Sequence, residues 1–275
     1  MSEVIALGKA GAAIRTANDA GRGALVAYLP AGYPSYDGGI DAIKALVDGG
    51  ADVLEIGFPY SDPVMDGVTV QRASEAALAA GLRTRDVLST VEKLASYSDV
   101  PVLVMTYWNP IERYGVDRFA ADLAGAGGAG LITPDLIPDE GAEWIASADK
   151  HDLDKVFLVS PSSTDERIRM TTAACRGFVY ATAVMGVTGT REKPSDLAAP
   201  LVARTKAATG VPVGVGLGVS NADQAAGVAA FADAVIVGSA FVKVVEAGEG
   251  PAGVRRLTES LAEGVRREPS TAASR

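Results

Sequence analysis

The stretch Asp52-Val-Leu-Glu55-Ile-Gly57-Phe-Pro-Tyr-Ser-Asp62-Pro-Val-Met-Asp66-Gly-Val-Thr-Val-Gln71 decides the fold, because it joins a short apolar strand to a turn-rich loop and leaves a carboxylate inside the strand. Alternation along a strand sets Val53, Glu55 and Gly57 on one face and Leu54 and Ile56 on the other. Both faces read as buried. An ionised Glu in such a place is costly unless it is partnered. Glu55 therefore has two readings: a carboxyl poised for acid–base chemistry, or a strand-end residue satisfied by neighbouring backbone.

Runs of the same kind recur along the chain, eight in all: Ala24 to Leu29, Asp52 to Gly57, Pro101 to Thr106, Ala129 to Thr133, Lys155 to Ser160, Phe178 to Thr182, Val211 to Gly216 and Asp233 to Val237. Helical patterns separate them: Gly39 to Asp48, Thr84 to Ala95, Val116 to Ala124, Asp139 to Ala148, Asp165 to Ala174, Ser195 to Ala208 and Asn221 to Ala230. Strand followed by helix, repeated over one chain, is the pattern of an α/β protein with a single (β/α)8 TIM barrel, ahead of a doubly wound open sheet. Residues 1 to 22 are expected to form a leading helix that closes the barrel bottom. The barrel domain then spans residues 1–267, and residues 268–275 form a polar tail expected to be disordered. No stretch is rich enough in Pro, Gly or Ser to divide the chain into two domains.

The 275 residues are 48% hydrophobic, yet none of the apolar stretches reaches the length of about 18 residues that spans a bilayer, and the N-terminus lacks a basic-then-apolar leader. The expectation is a soluble, cytoplasmic protein. One cysteine, Cys175, excludes an intrachain disulfide and a cysteine-bound structural metal, and one histidine, His151, excludes a multi-histidine metal centre. A formal charge of −9 argues against nucleic acid or an anionic membrane as the main partner. An anionic ligand would have to be held by local dipoles.

In a barrel of this kind chemistry sits where strands run into the following loops. The second run supplies Glu55 and, in its loop, Asp66. The sixth, with Tyr180, leads into Met185-Gly-Val-Thr188-Gly189-Thr190, a Gly/Thr-rich segment with the look of a mobile lid. The seventh and eighth lead into Val215-Gly-Leu-Gly218-Val-Ser220 and Val235-Ile-Val-Gly238-Ser239-Ala240. Glycines there let backbone approach a phosphate closely, and a short helix starting at Ser239 would aim its free N–H groups at the anion. Neither turn contains Lys or Arg, so the anion is expected to rest on backbone N–H groups.

Absences narrow the chemistry of a phosphorylated substrate. A Schiff-base aldolase needs a lysine inside the barrel, whereas Lys155 opens the fifth run at the wrong end. His151 precedes that run as well, too far from the loops to serve a metal aldolase. Sugar-phosphate isomerases of the histidine and tryptophan pathways want acid–base groups after the first and fifth runs. Those runs end in Tyr28-Leu-Pro-Ala-Gly32 and Val159-Ser-Pro-Ser162, without a carboxylate or thiol. Glu55 and Asp66 are left as the acid–base pair.

The sequence resembles the tryptophan synthase alpha subunit family over roughly Ala24 to Glu246. The resemblance is carried by Leu29-Pro-Ala-Gly-Tyr-Pro34, Glu55-Ile-Gly-Phe-Pro-Tyr-Ser-Asp-Pro63, Asp66-Gly67, Met105-Thr-Tyr-Trp-Asn-Pro110, Gly186-Val-Thr-Gly189 and Gly238-Ser-Ala240. It implies reversible retro-aldol cleavage of indole-3-glycerol phosphate to indole and glyceraldehyde 3-phosphate, the last stage of L-tryptophan biosynthesis, without a cofactor or metal. It further implies Glu55 as general acid–base, Asp66 as the carboxylate facing the indole N–H, and Tyr180 as an assisting group. Thr188 would hydrogen-bond Asp66 on lid closure, with the phosphate on Gly189, Gly218, Gly238 and Ser239. Tyr28, Leu54, Val70, Met105, Tyr107 and Phe178 are candidates for a flat apolar wall around the indole. The implied partner is a pyridoxal-phosphate beta subunit in an alpha2beta2 complex, contacted by the loops after the second, third and fourth runs and matched here by Pro59, Asp62 and Asn109.

The chain departs from the family pattern at Pro63-Val-Met-Asp66-Gly-Val68, usually close to Pro-Leu-Ala-Asp-Gly-Pro, and at Asp135-Leu-Ile-Pro138, usually Asp-Leu-Pro. Both departures fall on loops assigned to the partner. Two other functions stay open beside the alpha subunit: a stand-alone indole-3-glycerol phosphate lyase releasing free indole, and a non-catalytic phosphate-binding or activating module.

Overall fold

The computed structural model describes residues 7–182 and 194–267. The segment Ala24–Pro30, seven residues with every side chain buried, forms β1. The sheet continues with β2 (Val53–Gly57), β3 (Val102–Met105), β4 (Gly130–Ile132), β5 (Asp154–Val156), β6 (Leu158–Val159), β7 (Val179–Thr182), β8 (Val213–Gly216) and β9 (Ala234–Val237). All pairings are parallel, in the order β5-β4-β3-β2-β1-β9-β8-β7-β6. Near-continuous burial of β1 and β2 is what a parallel sheet covered on both faces requires.

Each of the eight apolar runs becomes a stave of the expected barrel, but the fifth is broken into β5 and β6 at Phe157. The break has a geometric reason. β5 pairs with β4 and β6 pairs with β7, so one run changes neighbour partway along and closes the ring. The Tyr180 N–H bonds the Phe157 carbonyl at 3.1 Å across the closure.

Helices wrap the staves: α1 (Gly8–Asp19), α2 (Tyr36–Asp48), α3 (Val68–Ala79), α4 (Thr84–Ala95), α5 (Trp108–Tyr114), α6 (Val116–Gly125), α7 (Ala142–Lys150), α8 (Asp165–Ala174), α9 (Pro194–Ala208), α10 (Ala222–Ala229), α11 (Ser239–Glu246) and α12 (Gly250–Val265). Ser35, Thr164 and Asn221 start α2, α8 and α10 by accepting backbone N–H groups, as good N-caps do. The periodic stretches all appear. α7 begins at Ala142 rather than at Asp139, because turn bonds from Glu140 to Ile137 and from Gly141 to Pro138 occupy the preceding residues. α3, α5 and α12 have no counterpart among the helical patterns read from the sequence. Among the described residues, no helix is long and apolar enough to cross a membrane.

The two faces of the strands fill two cores. Val26, Val53, Leu103, Ile132, Val156, Phe178 and Ile236 pack inside the barrel, while Leu25, Leu29, Leu54, Ile56 and Val104 pack between barrel and helices. The alternation read in β2 is thus the observed one. α1 closes the bottom, sending Ala10 and Ile14 into the interior core. Its second tie is a hydrogen bond of 2.8 Å from the Ala10 N–H to the buried Asp154 carboxylate. Gly8, at φ +64, fits against that carboxylate where a Cβ would lie 1.6 Å from Oδ1. Burial pushes the Asp154 carboxyl up to about 6. The polar tail, residues 268–275, falls outside the described residues.

Candidate active site

Glu55 sits in β2 opposite Tyr28 of β1 and is 1% exposed. Among the described residues no group hydrogen-bonds its Oε2. That orphaned oxygen disfavours a strand-end carboxyl satisfied by backbone. Burial, and secondarily the negative charge of Asp66, pushes the Glu55 carboxyl up to about 8. It therefore holds its proton at neutral pH.

Asp66 ends the loop after β2. Its carbonyl accepts from Gln71 Nε2 at 2.7 Å, which ties it to the first turn of α3. Partial burial raises its carboxyl as well, and the hydroxyl of Tyr107 opposes that rise. Two carboxyls sharing one cavity resist simultaneous ionisation. The one with a hydroxyl donor and more water, Asp66, is the one that ionises first.

Both carboxyls open into a cavity of about 590 Å³, within the range that holds a small metabolite. Tyr28 and Tyr180 line the same space, and burial, reinforced by the two carboxylates, holds both phenols well above their usual range. They stay protonated as hydroxyl donors. Two glycines make room for them: a Cβ at Gly57 would lie 2.2 Å from the Tyr28 hydroxyl, and one at Gly216 2.6 Å from that of Tyr180. Val70 and Met105 line the wall as expected. Tyr107 instead lines an adjoining recess with Asp66. Two expectations fail. Leu54 faces the helical layer because it has the opposite strand parity to Glu55, and Phe178 lies in the interior core below the cavity.

The far end of the cavity is made by Gly216, Gly218, Gly238 and Ser239. Gly218 adopts φ +69, a left-handed conformation that few other residues reach without strain. α11 begins at Ser239, so its first-turn N–H groups lack intrahelical acceptors and point out of the helix end. Lys243, one turn further along α11, lines the cavity too and is the cation on its wall among the described residues. The residues of the two turns give no sign of it, although spacing of i to i+4 from Ser239 puts it on the same helix face. Met65, Thr69 and Ile236 are further lining residues not anticipated. Thr188 and Gly189, with the rest of the lid at 185–190, lie outside the described residues.

Lys155 pairs with Asp149, and His151 stands beside Asp117 at 3.1 Å; neither lines the cavity. Of the positions matched to a partner, Asp62 and Asn109 are exposed and Pro59 is buried. Asp62 accepts from the Ser61 hydroxyl at 2.6 Å, and Asn109 Nδ2 donates to the Tyr60 hydroxyl at 3.2 Å. The family departures prove to be exposed apolar side chains on the same loops and at the first residue of α3: Val64 is 80%, Met65 52%, Val68 66% and Ile137 43% exposed.

Residues 14–268 match the family model described as tryptophan synthase alpha chain. The tryptophan synthase alpha chain of Acidothermus cellulolyticus is 59% identical over 263 residues, covering 95% of this chain and 98% of that protein. That of Mycobacterium marinum is 57% identical over 249 residues, with 90% and 91% covered. Among solved structures, a tryptophan synthase from M. tuberculosis in an aminoacrylate-bound form matches with a TM-score of 0.87 at 50% identity, covering 94% of this chain and 100% of that one. Tryptophan synthase subunit alpha from Legionella pneumophila matches with a TM-score of 0.86 at 32% identity, covering 94% and 99%.

Proposed function

The chain belongs to the tryptophan synthase alpha chain family, and from that premise we propose that it cleaves indole-3-glycerol phosphate reversibly to indole and glyceraldehyde 3-phosphate, in the last stage of tryptophan biosynthesis. The observation that carries the assignment of roles is the buried, proton-holding Glu55, whose Oε2 finds no partner among the described residues, in one cavity with the more ionisable Asp66. Glu55 delivers its proton to indole C3, which turns the ring into an electron sink. The resulting carboxylate then removes the proton of the glycerol hydroxyl next to the scissile bond. The C–C electron pair flows into the ring, regenerating indole, and the hydroxyl-bearing carbon leaves as the aldehyde. The balance closes without a Schiff base, metal or cofactor. One carboxyl performs both transfers, a task suited to a group whose acidity lies near neutrality.

Asp66 stays ionised and stabilises the positive charge that grows on the indole N–H. Tyr180 donates its hydroxyl in the same pocket, and Tyr28 packs along the wall. The phosphate rests on the N–H groups of Gly218, Gly238 and Ser239, and Lys243 supplies a full positive charge at that end. Thr188 and Gly189 keep the roles the family implies, a bond to Asp66 on closure and a further phosphate contact. Residues 1–267 act as one barrel domain. The enzyme works with a tryptophan synthase beta subunit, whose docking face includes Asp62 and Asn109, with Pro59 buried in the loop that carries Asp62. A phosphate ester does not cross a bilayer unaided, so the reaction belongs in the cytoplasm, where such metabolites are made.

Indole release from indole-3-glycerol phosphate, measured with and without a beta subunit, tests the reading. A large stimulation by the partner is expected. High activity alone with no stimulation would select the stand-alone lyase, and no indole in either condition would reject an enzymatic role.

A further inference from the structure

We propose that Tyr107 is a positioning residue for Asp66, its hydroxyl fixing the loop that carries the carboxylate and its ring joining that loop to the exposed edge formed by Tyr60 and Asn109. The inference rests on the reading of Asp66 as the ionised carboxylate of the reaction.

Tyr107 immediately precedes α5 and is only 5% exposed. Its oxygen accepts the backbone N–H of Met65, the residue before Asp66, at 2.9 Å. Among the described residues, Tyr107 is the one residue beyond their own loop and α3 that hydrogen-bonds residues 61–66; the other bonds are Ser61 to Asp62 and Gln71 to the Asp66 carbonyl. A phenol that accepts one N–H retains its own hydrogen to donate. Asp66 lies beside it in the same recess. One oxygen thus fixes the loop backbone and serves the carboxylate.

The ring carries the connection outward. It stacks on Tyr60 with centroids 5.2 Å apart and planes at 30°. The Tyr60 hydroxyl accepts from Asn109 at 3.2 Å, and the Trp108 N–H donates to Asp135 Oδ1 at 2.9 Å. The loops after β2, β3 and β4 are therefore joined through consecutive residues at the start of α5. Tyr60 and Asn109 lie on the face read as the partner's docking surface. A contact there can reach Asp66 through packed rings and two hydrogen bonds, a contiguous route of the kind that carries coupling between sites.

The groups facing Asp66 from neighbouring elements are Glu55 on β2, Tyr28 on β1, Tyr180 on β7, Tyr107 before α5 and Lys243 on α11. Of these, the Tyr107 hydroxyl is the one whose hydrogen bond favours the ionised form. Removing it leaves burial unopposed by that bond, so Asp66 ionises at higher pH.

Tyr107→Phe keeps the ring and its stacking while deleting the oxygen. With circular dichroism and melting temperature matching wild type, kcat at neutral pH should fall about tenfold and KM change less than twofold. The acid limb of the kcat–pH profile should move to higher pH. Tyr60→Phe, which breaks the Asn109 bond alone, should leave the solo rate unchanged and lower the stimulation by the beta subunit. In an Asp66→Asn chain, adding Tyr107→Phe should cost no further rate, because the residue acts through that carboxylate. An unmoved pH limb in Tyr107→Phe, or the same tenfold loss in the Asp66→Asn chain, would overturn the inference while leaving the role of Asp66 intact. Near-native cleavage by Asp66→Asn itself would instead reject the reading of the active site.

Discussion

Glu55→Gln separates the two consequences of burying an acid. The substitution keeps size and hydrogen-bonding capacity but removes the proton that the reaction moves, so turnover should fall by about two decades or more while a substrate analogue still binds. Stability should change in the opposite sense, and with pH. A carboxyl raised from 4.5 to about 8 is protonated in both folded and unfolded chains at pH 4, where it contributes nothing. Between those values the unfolded chain has lost the proton and the folded chain has kept it, so wild-type stability falls as pH rises, by about 1.4 kcal/mol for each pH unit. The penalty reaches about 2 kcal/mol at pH 6 and about 3 at pH 7, and levels off near 5 above pH 9. Glutamine carries no such term. Urea unfolding of both chains, followed by circular dichroism from pH 5 to 9, should therefore show a gap that widens in favour of the variant and then flattens. Any mismatch in how the amide is hydrogen-bonded adds a constant, so the slope carries the test. Parallel curves across the range would refute the reasoning, since they would mean that Glu55 ionises in the folded chain as easily as in the unfolded one.

Gly238→Asp sets a like charge where the proposed phosphate site lies and crowds the Tyr28 ring, which a Cβ would approach to 3.1 Å; titration calorimetry should find glycerol phosphate binding lost, with the circular dichroism spectrum preserved. Lys243→Gln should raise KM several-fold and flatten its dependence on salt, because screening acts on the charge that has been removed; an unchanged salt slope would mean the lysine does not face the anion. Asp62→Ala should leave the slow solo reaction nearly intact and lose most of the stimulation by the beta subunit, and equal losses in both rates would count against coupling through this loop.

Local order was legible from residues alone, and tertiary convergence was not. Period-two alternation set Glu55 and Leu54 on opposite faces of β2, because side-chain direction along a strand is set by the backbone itself. Which face turns to the barrel interior is decided by the closed sheet, and Leu54 faces the helical layer. The eight runs, the capped helices and the glycines of the last two turns follow from equally local rules, which is why the barrel and the glycine-lined end of its cavity are legible in the sequence. The split of the fifth run at Phe157 could not, since it depends on β5 and β6 finding different neighbours when the ring closes. Nor could the depth of Phe178 in the barrel be read, because alternation gives a face but not a height. Lys243 reaches the cavity only once α11 is docked. Tyr107 meets Met65 across 42 residues of chain. The acidity of Glu55 belongs furthest of all to the folded state, because it is set by the burial of the carboxyl and by an Oε2 that no described residue bonds. The sequence by itself determined which residues could face the cavity. Closure of the chain decided which of them meet, and how much water is left between them.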